Sequence, residues 1–186
     1  ISEVKDPNIL LQNNLFGKTD RSTYTREEWY AQNPGVEYSN ETLTTLWETG
    51  RKVYEYKTNT GTNPKIAVAS DMKKLEPGLY SLKLTTKDKY GNEVVEINQF
   101  TVYASKNKKM PYCTPSLFIQ ENTMVYPGEV AVVYAGTSFS ETKLLYEIEV
   151  KNKIVTREWV SLDNELKRFE IPVTEEHRGN FTVHMM

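Results

Sequence analysis

The sequence predicts an all-β chain of two antiparallel β-sandwiches, the first decorated with short helices. Three observations carry that expectation. Strand formers are abundant, with 12 Tyr and 6 Phe against 9 Gly in 186 residues. Alternation with period two governs most of the chain from residue 52 onward. A Pro-Gly corner followed by an alternating run occurs twice, as "EPGLYSLKL" from Glu76 and "YPGEVAVVY" from Tyr126. Proline fixes φ and ends one segment, and glycine lets the chain swing into the next. The two corners are expected to mark equivalent places in two sandwiches. A chain of this length suffices for two domains of about ninety residues each.

The elements follow in order. "NILLQNNLF" places Ile9, Leu10, Leu11, Leu15 and Phe16 in an extended segment that packs on something. "TREEWYAQNPG" offers a capping box. The Thr25 hydroxyl accepts from the amide three residues on, and Glu28 reaches back. A short helix at 26–32 follows, with Trp29 and Tyr30 turned inward and Pro34-Gly35 ending it. "SNETLTTLWETG" repeats the pattern, with Leu43, Leu46 and Trp47 at helical spacing and Gly50 beyond. A second helix at 41–48 is expected, weakened by its threonines. Then "KVYEYKT" (52–58) and "KIAVAS" (65–70) read as strands. "PGLYSLKLTTKDKYGNEVVEINQFTVYA" is the clearest hairpin, turning at Gly91-Asn92. Its long apolar face calls for a covering second sheet. The polar, basic and proline-bracketed "ASKNKKMPYCTP" sets a boundary. The domains are therefore 1–104, a linker 105–115, and 116–186. The second half is strands only, at about 116–120, 129–136, 143–150, 153–160, 166–173 and 180–185. Trp159 is expected in its core, so that Trp159→Ala costs about 3–5 kcal/mol.

Composition narrows the function. The 23 basic and 25 acidic residues leave a net charge of −2, and the longest basic cluster is "KNKKM". That argues against a nucleic-acid partner. No apolar run approaches the roughly 20 residues that span a bilayer, so no direct membrane insertion is expected. The chain opens at "ISEVKDPN" without Met or secretory signal and reads as part of a larger protein.

Residues that could carry chemistry are sparse. His177 and His184 lack a third ligand at zinc-binding spacing. The single Cys113 reads as a small half-buried side chain. No nucleophile elbow, phosphate loop or dinucleotide fingerprint is present. Asp88 and Glu93 flank Gly91, and the hairpin turn explains them better than a calcium loop. Asn40 in "NET" and Asn180 in "NFT" fit the glycosylation acceptor pattern, which matters only with eukaryotic secretion. Trp29, Trp47, Tyr54 and Tyr56 are candidates for a carbohydrate platform, although two of them sit at helical core spacing and tyrosines on alternating strand positions are more often cross-strand packing. No catalytic, cofactor-binding or metal-binding residue is assigned, and no cofactor is expected.

The hairpin "PGLYSLKLTTKDKYGNEV…FTVY" resembles a strand-turn-strand unit of bacterial α2-macroglobulin-like proteins. The second half is more similar still. It has the Tyr-x-Pro-Gly corner, a "Leu-x-Tyr-x-Ile-Glu" strand, a hairpin into a Trp-bearing strand, then "Ile-Pro-Val-Thr-Glu-Glu" and an aromatic-x-Val strand. "YTREEWYAQNPG" is similar to an insertion of Bacteroidetes members. The resemblance spans 75–103 and 116–186. It implies fibronectin-III-like, macroglobulin-type sandwiches ahead of, or beginning, a bait-region domain. It also implies a periplasmic or cell-surface parent that traps proteases when they cut its bait. Its partners would be neighbouring macroglobulin domains and, through the whole parent, target proteases. Many family members hold a Cys–Gln thioester. Cys113 in "YCTPS" lacks the following Glu-Gln, so no thioester role passes to it. The expectation is a non-catalytic scaffold. The alternative is a carbohydrate-binding or adhesin-type β-sandwich module, marked by an exposed coplanar pair of aromatics. An enzyme would instead need a pocket gathering His177 or Cys113 with acidic partners.

Overall fold

The computed structural model describes residues 1–12, 14, 23–59, 72, 74–104, 106 and 108–186. The expected strand at 65–70, along with Leu15 and Phe16, lies outside them. The chain is all-β, built of antiparallel sheets, with one α-helix among the described residues. It divides into two compact units, Ile1–Tyr103 and Ala104–Met186.

The first unit contains strands β1 (Ser2–Val4), β2 (Thr49–Lys52), β3 (Gly78–Lys87) and β4 (Glu93–Val102). Among the described residues they form one sheet in the order β2-β1-β3-β4. The hairpin β3–β4 pairs in unbroken register from Gly78↔Val102 to Lys87↔Glu93. Its base is buried at Leu79, Tyr80 and Ser81, where β1 pairs on the other side. Tyr80 stacks on its opposite neighbour Phe100, with ring centroids 5.7 Å apart. Leu84, Val94, Val95 and Ile97 at the far end stay exposed. Helix α1 (Arg26–Gln32) starts at the expected capping box. The Glu28 amide donates to Thr25 Oγ1, and the Thr25 amide donates to Glu28 at 2.7 Å. The Thr25 amide, and then its hydroxyl donating to the same carboxylate oxygen at 3.0 Å, hold the Glu28 carboxyl below its ordinary pKa. The second expected helix contracts to a single 3₁₀ turn at Thr44–Leu46. A reciprocal pair of hydrogen bonds with Gln99 clamps that turn onto β4, both at 2.8 Å. Residues 53–59 leave the sheet after Lys52, so the expected strand at 52–58 is replaced by the shorter β2.

The second unit is a two-sheet sandwich. Its strands are β5 (Leu117–Gln120), β6 (Val130–Thr137), β7 (Thr142–Val150), β8 (Lys153–Leu162), β9 (Glu165–Pro172) and β10 (Phe181–Met185). One sheet runs β5-β6-β9 and the other β10-β7-β8. Ala131, Val133 and Ile171 from the first meet Tyr146, Ile148 and Val150 from the second in one buried core. Tyr146 stacks on Phe169 across the sheets at 5.0 Å. Lys151 and Asn152 both adopt positive φ, the conformation of a two-residue hairpin turn. The β7–β8 register shifts between Ile148 and Glu149, leaving Val155 as the extra residue of a bulge.

Three expectations are corrected here. Residues from Lys108 onward are no free linker. Met110 is buried, Lys109 bridges Glu165, and the Leu166 amide donates to the Lys108 carbonyl at 2.7 Å. The two Pro-Gly corners are not equivalent. Gly78 is already the first residue of β3, opposite Val102, whereas Gly128 sits at φ +95° in a turn ahead of β6. Trp159 is not core: it is 69% exposed on the outer face of β8. Val160 and Leu162 turn inward on that strand, and the period of two sends Trp159 the other way.

Candidate functional site

The residues singled out for chemistry are held by separate local partners. His177 lies in the 3₁₀ turn Glu175–His177, where its Nδ1 accepts from the Thr174 amide at 3.0 Å. The ring meets Phe181 edge-on at 5.1 Å. His184 faces outward from β10 and bonds Glu149 of β7 at 2.7 Å. Cys113 is half-buried in the segment that packs on the second unit. Among the described residues, no group of three or more His, Cys, Asp or Glu side chains is placed to hold a metal ion.

Asp88 does turn chemistry. One carboxylate oxygen accepts from the Tyr90 and Asn92 amides, both at 2.8 Å, and the other from the Asn92 side chain at 3.0 Å. Gly91 takes φ +88° to let the loop close. The Asn92 side chain, with these amides, holds the Asp88 carboxyl below its usual range. Glu93 is already in the ladder opposite Lys87. Asn40 and Asn180 are both exposed.

The candidate platform residues divide. Trp29 and Trp47 are half-buried, and their indole N–H groups donate to the Val36 and Glu41 carbonyls at 3.0 and 2.8 Å. Tyr54 and Tyr56 behave differently. Their rings lie within 16° of parallel with centroids 6.5 Å apart, and Tyr56 is 59% exposed. They border a groove of about 770 Å³ with Lys52, Leu82 and Leu84.

Two further surfaces escape a reading of single residues. The outer face of β10-β7-β8 carries Trp159 opposite Leu145, beside the ion pairs Glu147–Arg157 and Glu149–His184. The second surface is the side of the sandwich between β5 and β10, which are edge strands among the described residues. Clefts of about 670 and 470 Å³ enter there. Phe118, Phe181 and Val183 line the larger one, which reaches the core at Val133 and Ile171. Phe118 pairs with Ala135 and so shares its inner face, yet it is 52% exposed. The signal in the sequence is the pair of uncharged runs "LFIQ" and "FTVHM", whose significance depends on which strands end up at edges.

No family model matches the chain, and no curated protein or solved structure matches it significantly.

Proposed function

We propose that this chain is a non-catalytic scaffold within a bacterial α2-macroglobulin-like protease trap. Its β modules would hold neighbouring domains and transmit their rearrangement after bait cleavage. The observation that supports this most directly joins two motifs of the resemblance. The Gly128 amide of the Tyr-x-Pro-Gly corner donates to the Val173 carbonyl at 2.8 Å, and the Val173 amide returns to Glu129 at 2.9 Å. Val173 belongs to "Ile-Pro-Val-Thr-Glu-Glu". Residues some forty-five positions apart thus form one structural unit. The test uses the intact parent protein and a broad-specificity protease, assayed on a small chromogenic peptide and a large protein substrate. Trapping preserves the first activity and lowers the second. If both are untouched, the proposal fails.

A second reading rests on the Tyr54–Tyr56 pair. Near-parallel rings beside an open groove suit the flat face of a sugar, with aromatic surface for its C–H groups. Affinity electrophoresis of the wild-type chain and Tyr56→Ala in polysaccharide gels tests it. Retardation that disappears in the variant supports a glycan site; equal mobility of both removes it.

A further inference from the structure

We draw no further inference here: the strongest candidate, the surface patch of Trp159 and Leu145 on the outer face of β10-β7-β8 beside the Glu147–Arg157 pair, is an unpartnered sheet face, and nothing in the structure shows what covers it.

Discussion

The Gly128 amide and the Val173 carbonyl lie 2.8 Å apart, and their bond ties the start of β6 to the segment leaving β9. The turn also bonds Glu129 N–H to the Tyr126 carbonyl at 3.0 Å. Pro127 at its second position and Gly128 at φ +95° are the pairing that a type II turn requires. A Cβ on Gly128 would meet open space, so the cost of Gly128→Ala is conformational. The expected loss is about 1–2 kcal/mol. It should appear as a lower urea midpoint with unchanged slope. An unchanged midpoint would mean the turn relaxes without loss.

Gly136 is constrained by space instead. An added Cβ would come within 2.7 Å of the Glu165 carbonyl oxygen, 2.9 Å of Leu166 Cα and 2.7 Å of Met110 Sδ. The thioether can swing away; the backbone of β9 cannot. Gly136→Ala should therefore cost about 1–3 kcal/mol. The damage should concentrate where residues 108–110 join β9, seen as faster hydrogen exchange at Leu166. Met110→Ala in the same chain should not restore stability, because the backbone contacts remain. Full rescue would contradict this account.

Trp159 and Ile171 reverse what their sizes suggest. Trp159 is 69% exposed and Ile171 only 2%. Trp159→Ala should cost less than about 1 kcal/mol. Ile171→Ala, which empties part of the shared core, should cost about 2–5 kcal/mol. Denaturant titration of both variants checks the ranking. The reverse order would mean that β8 is rotated by one residue.

The second unit was largely legible because local signals agreed. Val130–Thr137, Thr142–Val150 and Lys153–Leu162 each lie within two residues of the ranges read from alternation. Turn residues such as Asn152 and Asn164 fixed where the chain reverses. What failed depended on contacts distant in sequence. The expectation of a core Trp159 fails because its inward neighbours Val160 and Leu162 set the opposite parity. Met110 lies in the expected linker, yet its thioether sits against Gly136, a position far along the chain that local sequence does not reveal. The second expected helix gave way to the Gln99 clamp on Thr44, a contact 55 positions apart. The clefts beside β10 are invisible for the same reason, since nothing in "FTVHM" says which strand it pairs with.

Tyr146 makes the second unit sensitive to alkali. Burial in the core raises its phenol pKa above the ordinary value, and the nearby Glu158 charge pushes the same way. In the unfolded chain the group returns to about 10. The folded state thus keeps the proton at a pH where the unfolded state releases it. This contribution is fully present below about pH 10 and is lost as pH rises through the folded pKa. Tyr146→Phe cannot ionise, so it removes this part of the slope. Urea midpoints of the second unit should run parallel for wild type and variant from pH 7 to about 9, then diverge, with wild type falling faster. Tyr80 is raised by its own burial first and then by the Glu3 charge, which gives the first unit a separate alkaline limb. Probes confined to the second unit, such as Trp159 fluorescence in a chain with Trp29 and Trp47 replaced by Phe, keep the two apart. Equal alkaline slopes in wild type and Tyr146→Phe would show that the phenol stays wet in the folded state.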